Sequence, residues 1–459
     1  MIGKIVPSTV WALLISEVAL VTTAYMVATY GLMDVDPILW LFYEYGLYRI
    51  LVLVIWIVFG LYFQDLYSKF RIRSRFVLLQ QVSLVLGTAF LFQALVSYIA
   101  VWLLLPRRIM MAGSLLVIIL VPVWRYAYSH LVVQSLATEH VLFLGASPLA
   151  QEIAGHLRER SELGSTVDGF LAEPNELESL PEAWRLGTPA QFAETVARLK
   201  PDRVVVGMVE RRQRMPVQDL LTVSFAGTPV EEAATAYESV LQRVSTLQLR
   251  PSQLIFSREL GPRPSRIKLQ LVYSTILAAF GMLVAAPIML LVAIGVRLTS
   301  AGPALYSQQR VGMHGETFLV YKFRSMRQDA EASTGAVWAS KDDPRITRFG
   351  RFIRRTRLDE LPQLFNVVKG EMSLVGPRPE RPEFVSILSE QIPFFPHRHC
   401  VRPGVTGWAQ INHKYGDTLQ DTITKLEYDL YYIKNLSPVL DFYIMFQTVK
   451  VMLLSRGSQ

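Results

Sequence analysis

Apolar residues dominate long stretches at the start of this chain. Residues 10–32, 39–63, 76–105 and 109–124 are such blocks, with little polar sequence between them. Each approaches the ~20 residues that cross a bilayer, the last being short. Four in succession argue for membrane helices over buried core helices. The three that follow the first also argue against reading it as a cleaved signal peptide. The loop after the second block carries Lys69, Arg71, Arg73 and Arg75. The loop after the first carries Asp34, Asp36 and Glu44 and no Lys or Arg. Cations stay on the cytoplasmic side, so both ends of this bundle are expected there. Arg107 and Arg108 pull the other way, but four cations outweigh two.

The pattern changes after Tyr126. Residues 140–145 read as a buried parallel strand and 148–160 as a helix, with further strands at 167–171 and 203–207. This alternation predicts an open α/β sheet. A dinucleotide fingerprint needs glycines at 145, 147 and 150, where the chain has Gly145, Ser147 and Ala150. A tight strand-to-helix turn explains the single glycine, so a Rossmann-like module is expected without an assigned nucleotide.

Residues 269–296 form a fifth apolar block, free of charge and broken by Pro287. Arg263, Arg266 and Lys268 precede it and Arg297 follows it. Cations at both ends favour a segment that enters the membrane, breaks near Ala286-Pro287 and leaves on the same side. Prolines are also tolerated in spanning helices, so charge alone leaves a true span open. Beyond Tyr306 the chain is polar until 442–454, an apolar stretch suited either to the membrane interface or to the core. The expected organisation is a transmembrane four-helix domain at 1–135, a Rossmann-like domain at 136–262, a membrane-inserted helix at 263–300 and a catalytic α/β domain at 301–459.

Composition sharpens this. The chain is 51% hydrophobic over 459 residues, too apolar for an ordinary soluble enzyme. Its net charge of +8 sits largely beside apolar blocks, which favours anionic lipid headgroups over nucleic acid. No nucleic-acid motif is present. The lone Cys400 excludes an intramolecular disulfide and a cysteine-based zinc site.

The chemistry concentrates between 351 and 382. Arg351, Arg354, Arg355, Arg357 and Lys369 surround the adjacent acids Asp359 and Glu360, and Arg378 lies between two prolines. Cations gathered round a small carboxylate centre suit a phosphate substrate. Adjacent helical residues do not face each other, so separate roles suit the two acids: nucleophile and metal ligand. A helix is expected from Asp359 to Lys369, stopped by Gly370, with the acids at its positive end. Lys322 and Arg324 alternate with aromatics as on a strand, and Arg402 opens a second rigid turn that leads to Trp408.

The motifs Tyr321-Lys-Phe-Arg-Ser-Met326, Leu358-Asp-Glu-Leu-Pro-Gln-Leu-Phe-Asn366, Met372-Ser-Leu-Val-Gly-Pro-Arg-Pro379 and Val401-Arg-Pro-Gly-Val-Thr-Gly-Trp-Ala-Gln410 stand in this order, with Asp429-Leu-Tyr-Tyr432 after them. Residues 265–455 closely resemble the bacterial sugar transferase family, the polyprenyl-phosphate hexose-1-phosphate transferases. The whole chain is similar to the large, exopolysaccharide-initiating form, with a re-entrant membrane helix ahead of a cytoplasmic catalytic domain. The resemblance implies that Asp359 attacks the β-phosphate of a UDP-sugar and releases UMP. Undecaprenyl phosphate then accepts the sugar-phosphate. It implies magnesium (Mg2+) at Glu360 and functional positions at Lys322, Arg354, Arg378 and Asp429; Arg324 and Arg402 join them as expected substrate contacts. It also implies a bacterial inner-membrane location and leaves room for a homodimer. One departure is Ala286 where the family commonly has serine before the helix-breaking proline. Two alternatives are a membrane-anchored nucleotide-sugar dehydrogenase or epimerase, and a non-enzymatic glycan-export scaffold. All the phosphate-handling residues lie after 320, so a fragment starting near Leu260 is expected to retain the chemistry.

Overall fold

A computed structural model describes residues 8–64, 66–67, 75–128, 139–159, 165–208, 215–246, 261–327, 345–413 and 418–453. They group into two compact units, Met1–Ala233 and Ala234–Gln459. The division falls ahead of the boundary at 262 expected from the sequence.

In the first unit the apolar blocks form α1 (Ser8–Leu32), α2 (Gly46–Phe63), α3 (Arg75–Ile99) and α4 (Arg107–Ala127). The second block is shorter as a helix than its hydropathy suggests. Asp36 caps a separate short helix, Pro37–Tyr43, by accepting the Ile38 N–H at 2.9 Å. Tyr45 then turns left-handed (φ 61°) before α2 begins. The third block likewise stops at Ile99, and a short turn takes up 101–103. Leu13, Tyr25, Ile50, Leu53, Val117 and Val121 fill the bundle interior, while Ile15, Ile55, Leu91 and Leu115 face outward. Apolar side chains both inside and outside are what a lipid-embedded bundle requires. With the long helix described below, five helices are long and apolar enough to cross a membrane among the described residues, and we describe the chain as a membrane protein.

One polar cluster interrupts the bundle core. Arg125 reaches Glu17 through Nε at 2.6 Å and Nη2 at 2.9 Å, and the Tyr67 hydroxyl donates to the same carboxylate. A carboxylate inside an apolar block is tolerated when it faces the bundle and meets a cation.

The α/β module of this unit has five parallel strands: β1 (Glu139–Leu144), β2 (Ser165–Leu171), β3 (Arg185–Gly187), β4 (Arg203–Val206) and β5 (Val230–Glu232). Their spatial order, β3-β2-β1-β4-β5, is that of a doubly wound dinucleotide fold. Strand β1 runs into α5 (Pro148–Glu159) through Gly145, which has a φ of 89° and where a Cβ would lie only 2.5 Å from the Met208 nitrogen. The turn that would receive a phosphate is already occupied from within. The Ala146 N–H donates to the Glu176 carboxylate at 3.1 Å.

The second unit opens with α8 (Ala233–Leu241; α6 being Phe192–Leu199 and α7 Val217–Phe225), followed by α9 (Pro264–Thr299). Helix α9 continues through Pro287 for 36 residues, so the expected break at Ala286-Pro287 does not divide it into two elements. Next come the antiparallel hairpin β6 (Leu305–Val311) and β7 (Thr317–Phe323), α10 (Arg348–Arg355), α11 (Gln363–Lys369) and β8 (Ser373–Val375). The unit ends with α12 (Pro382–Gln391), β9 (Gly404–Thr406, parallel to β8), α13 (Leu419–Asn435) and α14 (Pro438–Leu453).

Two small cores lie along α9. Ala278 packs with Val320, Val367 and Met372; Val292 and Val296 pack with Phe323 and Ile353. The outward face of α9, including Phe280, Leu283, Val284, Leu290 and Leu291, is exposed and apolar. Helix α14 packs on this unit through buried Leu440, Asp441, Ile444 and Lys450, while Phe442, Val449 and Met452 are exposed, so the described part of the 442–454 stretch has one side on the core and one side open. Asp441 accepts from Gln270 at 2.7 Å and Tyr432 at 2.8 Å, and from Tyr273.

Candidate active site

The two acids sit where three backbone devices meet. Helix α10 starts at Thr347, whose hydroxyl accepts the Gly350 N–H at 2.9 Å, and ends at Arg355. Arg357 then adopts a left-handed conformation (φ 58°) that turns the chain into a single 3-10 turn, Leu358–Glu360. Helix α11 begins only at Gln363, behind Pro362, and stops at Gly370 (φ 80°). The expected helix over 359–369 is therefore two elements. Pro362 has no N–H to continue the ladder, so the acids lie in a tight turn ahead of the helix.

Asn366 fixes this turn against the hairpin. Its side chain accepts from the Tyr321 N–H at 3.1 Å and donates to the Leu319 carbonyl at 2.7 Å and to Glu371 at 2.8 Å. That grip holds β7 in register beside α11 and brings Lys322 to Glu360, Nζ to Oε1, at 3.2 Å. From the other side Arg378 Nη2 reaches the same oxygen at 2.8 Å. Arg378 belongs to a turn that is built by close approach. A Cβ on Gly376 would strike the Arg402 carbonyl, and one on Gly404 would strike the Gly376 nitrogen. The two Pro-Gly motifs seen in the sequence are thus back-to-back parts of one structure.

The environments push the two carboxyls apart. Burial alone would raise Glu360, but Arg378, Lys322 and Arg357 together outweigh it and hold its carboxyl well below the usual range. Burial raises Asp359, the Glu360 charge adds to this, and Lys322, Arg354 and Arg357 only partly oppose it. Burial lowers Lys322, with Glu360 acting against the shift. Glu360 is thus locked as an anion by two cations. Asp359 keeps a buried oxygen, Oδ1, that has no hydrogen-bond partner among the described residues. An orphan acceptor of that kind calls for an explanation such as a missing ligand.

The remaining expected residues separate. Arg354 donates from Nε to Ser325 Oγ at 2.9 Å, and its charge acts on Asp359. Arg324 lies elsewhere: it is buried and donates from Nη2 to the Ser300 carbonyl at 2.7 Å and hydroxyl at 2.8 Å, pinning the end of α9. Arg402 donates to the Gly370 carbonyl at 2.8 Å and so closes the C-terminus of α11. Asp429 is 2% exposed and paired with Arg398 at 2.8 Å. The same Arg398 nitrogen donates to the Arg378 carbonyl at 2.9 Å. Asp429 therefore reaches the site through two arginines. Trp408, at the end of the second rigid turn, is buried and stacks on Tyr431 with centroids 5.9 Å apart.

Two residues had no role in the sequence reading. Arg357 appears there only as one more cation, and Arg398 not at all. Arg398 had a signal, however. Asp429 shares a helix face with Leu426 and Ile433, and an acid buried there needs a cation.

Comparison with known proteins gives the following. The family described as bacterial sugar transferase matches residues 265–455. The chain is 41% identical over 240 residues to a UDP-N-acetylgalactosamine-undecaprenyl-phosphate N-acetylgalactosaminephosphotransferase of Aeromonas hydrophila, covering 52% of this chain and 56% of that one. The chain thus spans little more than half of that relative. It is 32% identical over 330 residues to the UDP-glucose:undecaprenyl-phosphate glucose-1-phosphate transferase of Xanthomonas campestris pv. campestris, covering 70% of this chain and 68% of that one. An exopolysaccharide production protein of Rhizobium leguminosarum bv. phaseoli, PSS, is 44% identical over 181 residues, 38% of this chain and 90% of its own.

Proposed function

The chain belongs to the bacterial sugar transferase family, and from that premise we propose that it moves a sugar-1-phosphate from a UDP-sugar to undecaprenyl phosphate. The observation that carries this reading is the pairing of Asp359, with its orphan oxygen, and Glu360, clamped between Lys322 and Arg378.

The division of labour follows from the charges. An Asp359 oxygen attacks the sugar-bearing phosphorus. The bond from that phosphorus to the bridging oxygen breaks, and UMP departs with the oxygen. A phosphate oxygen of undecaprenyl phosphate then attacks the same phosphorus, which frees the Asp359 carboxylate and leaves a diphosphate-linked sugar. Lys322, Arg354 and Arg378 oppose the charge on the phosphoryl oxygens, and Glu360 holds Lys322 and Arg378 in place before substrate arrives. A magnesium ion fits these residues. Mg2+ characteristically takes one or two carboxylates and leaves its other positions to phosphates and water. Glu360, with Oδ1 of Asp359 beside it, offers that donor set. When bound, the ion supplies positive charge to the diphosphate.

The contacts of α9 support the membrane placement we propose. Gln270, Ser274 and Ala278 in its first half and Val292 and Val296 in its second all pack on the same C-terminal unit. A straight run between Gln270 and Val296 is about 39 Å, longer than the ~30 Å hydrocarbon layer. A spanning helix would carry one set of these residues away from its partners. We read α9 as re-entrant, bent at Pro287, with the catalytic unit on the cytoplasmic face of a bacterial inner membrane. The dehydrogenase and scaffold alternatives have no support from the relatives.

Asp359→Asn tests the reaction. With a panel of UDP-sugars and undecaprenyl phosphate, the native protein should release UMP. It should also retain one labelled sugar-phosphate per chain when the lipid is withheld. The folded Asn variant should do neither, because an amide is a poor nucleophile. Near-normal UMP release from that variant sinks the assignment.

A further inference from the structure

The family match begins at residue 265, yet the C-terminal unit begins at Ala234. The chain leaves β5 at Glu232 and enters α8 at once, so the last strand of the parallel sheet runs without a linker into the other unit. Residues 234–246 are partly buried in that unit. Ala236, Tyr237, Val244, Ser245 and Thr246 are all buried.

Three residues of the segment, Tyr237, Arg243 and Thr246, meet one carboxylate, that of Glu427 on α13, which is 5% exposed. The Tyr237 hydroxyl donates to its Oε2 at 3.0 Å, the Thr246 N–H donates to its Oε1 at 3.2 Å, and Arg243 Nη1 lies 3.5 Å from Oε2. The Val244 N–H donates to the Glu427 carbonyl at 3.1 Å. The segment also ties to α13 at a second point, where Lys434 meets Glu238 at 2.7 Å. An acid buried this deeply is stable only when its lone pairs are satisfied, and here Tyr237, Thr246 and Arg243 face them.

Glu427 and Asp429 are two residues apart on one helix. At ~100° per residue their side chains leave α13 on roughly opposite sides. Glu427 takes the 234–246 segment on one side. Asp429 takes Arg398 on the other, and Arg398 holds the Arg378 backbone whose side chain meets Glu360. Helix α13 thus stands between residues 234–246 and the Arg398 that holds the Arg378 carbonyl.

We propose that residues 234–246 are a clip that completes the catalytic unit, and that Glu427 is a positioning residue which, through α13, Asp429 and Arg398, sets the phosphate-facing Arg378. This rests on the reaction proposed above. It also moves the start of the functional core upstream of the Leu260 fragment expected from the sequence.

The test uses the full chain in detergent, with Glu427→Gln and the milder Tyr237→Phe. Two readouts are taken: kcat and KM for UMP release, and hydrogen exchange at the amides of Val244, Thr246 and Arg378. We expect exchange to quicken at all three amides in both variants. We expect kcat to fall at least tenfold in Glu427→Gln and about threefold in Tyr237→Phe, at unchanged expression and monodispersity. If exchange quickens at Val244 and Thr246 while Arg378 exchange and kcat stay native, the clip is mere scaffolding and the proposal is overturned. Should Glu427→Gln fail to fold, Tyr237→Phe carries the same comparison alone. If the native protein releases no UMP from any UDP-sugar, the reaction is wrong, and Arg378 exchange still decides for or against the clip.

Discussion

Arg398→Gln is the most revealing single change in the site's support. Asp429 is buried, and burial pushes its carboxyl up from 3.8 to about 6, with Glu380 adding to the rise and Arg398 and Lys425 opposing it. Without Arg398 the carboxyl rises further. Once it passes the ambient pH it takes a proton, which caps the penalty. From about 6 to a working pH of about 7 is roughly one unit, or ~1.4 kcal/mol. The Arg378 carbonyl also loses a charged donor, worth about 1.5–3 kcal/mol. The sum, about 3–4 kcal/mol, matches the ~3–5 kcal/mol typical of removing one partner from a buried ion pair. The sign of the pH effect follows. A buried acid with a raised folded pKa costs stability above that pKa, and the cost is relieved as pH falls. In the native protein the relief begins near the Asp429 value of about 6. In the variant it begins at a higher pH. The variant's deficit should therefore narrow by about 1.4 kcal/mol between about pH 7 and about pH 5. Denaturant titration of both proteins in one detergent, at three pH values across that window, measures it. A deficit that is constant or widens on acidification refutes the reasoning, because Asp429 would then not depend on Arg398 for its charge.

Other outcomes follow from the scaffold. Single cysteines at the exposed positions Ser265 and Ala301, in a Cys400→Ser background, should both resist an impermeant thiol reagent applied outside intact cells; labelling at Ala301 alone would establish a true span and exclude re-entry. Asn366→Leu removes the partners of the Leu319 carbonyl and the Tyr321 N–H, so a stability loss of about 2–4 kcal/mol is expected. UMP release should fall with it as Lys322 drifts, and a variant with native stability would mean that Asn366 does not hold the hairpin.

Local pattern carried much of the fold. The alternation of short apolar runs and helical stretches after residue 139 predicts the parallel sheet, and β1, β2 and β4 lie within two residues of the strands read from sequence. Hydropathy finds the membrane helices but not their ends. It reads 39–63 as one block because Tyr43 and Tyr45 are apolar enough to bridge it, whereas the left-handed Tyr45 breaks the helix by conformation. The acids were misplaced for a related reason. Helix propensity continues through Leu358-Asp-Glu-Leu, but the missing N–H of Pro362 and the left-handed Arg357 force a tight turn.

What periodicity cannot supply is the partner of a buried charge. Composition shows that Glu17 lies in an apolar block and that Asp429 and Glu427 lie on a helix with Leu426 and Leu430. Elementary electrostatics then demands a cation or a set of donors for each. The identity of those donors depends on the fold. Glu17 meets Arg125 across 108 residues, and Glu427 meets Tyr237 across 190. Arg324 shows the converse. In sequence it looks like Lys322, two residues away and flanked by aromatics, but one more step along the chain passes the end of β7 and turns its guanidinium to Ser300. Lys322 faces Glu360 because it is still within the strand that Asn366 holds. The difference between a cation that meets Glu360 and one that anchors a helix is thus set by where a strand ends, and β7 ends where its pairing with β6 does, at Leu305 and Phe323.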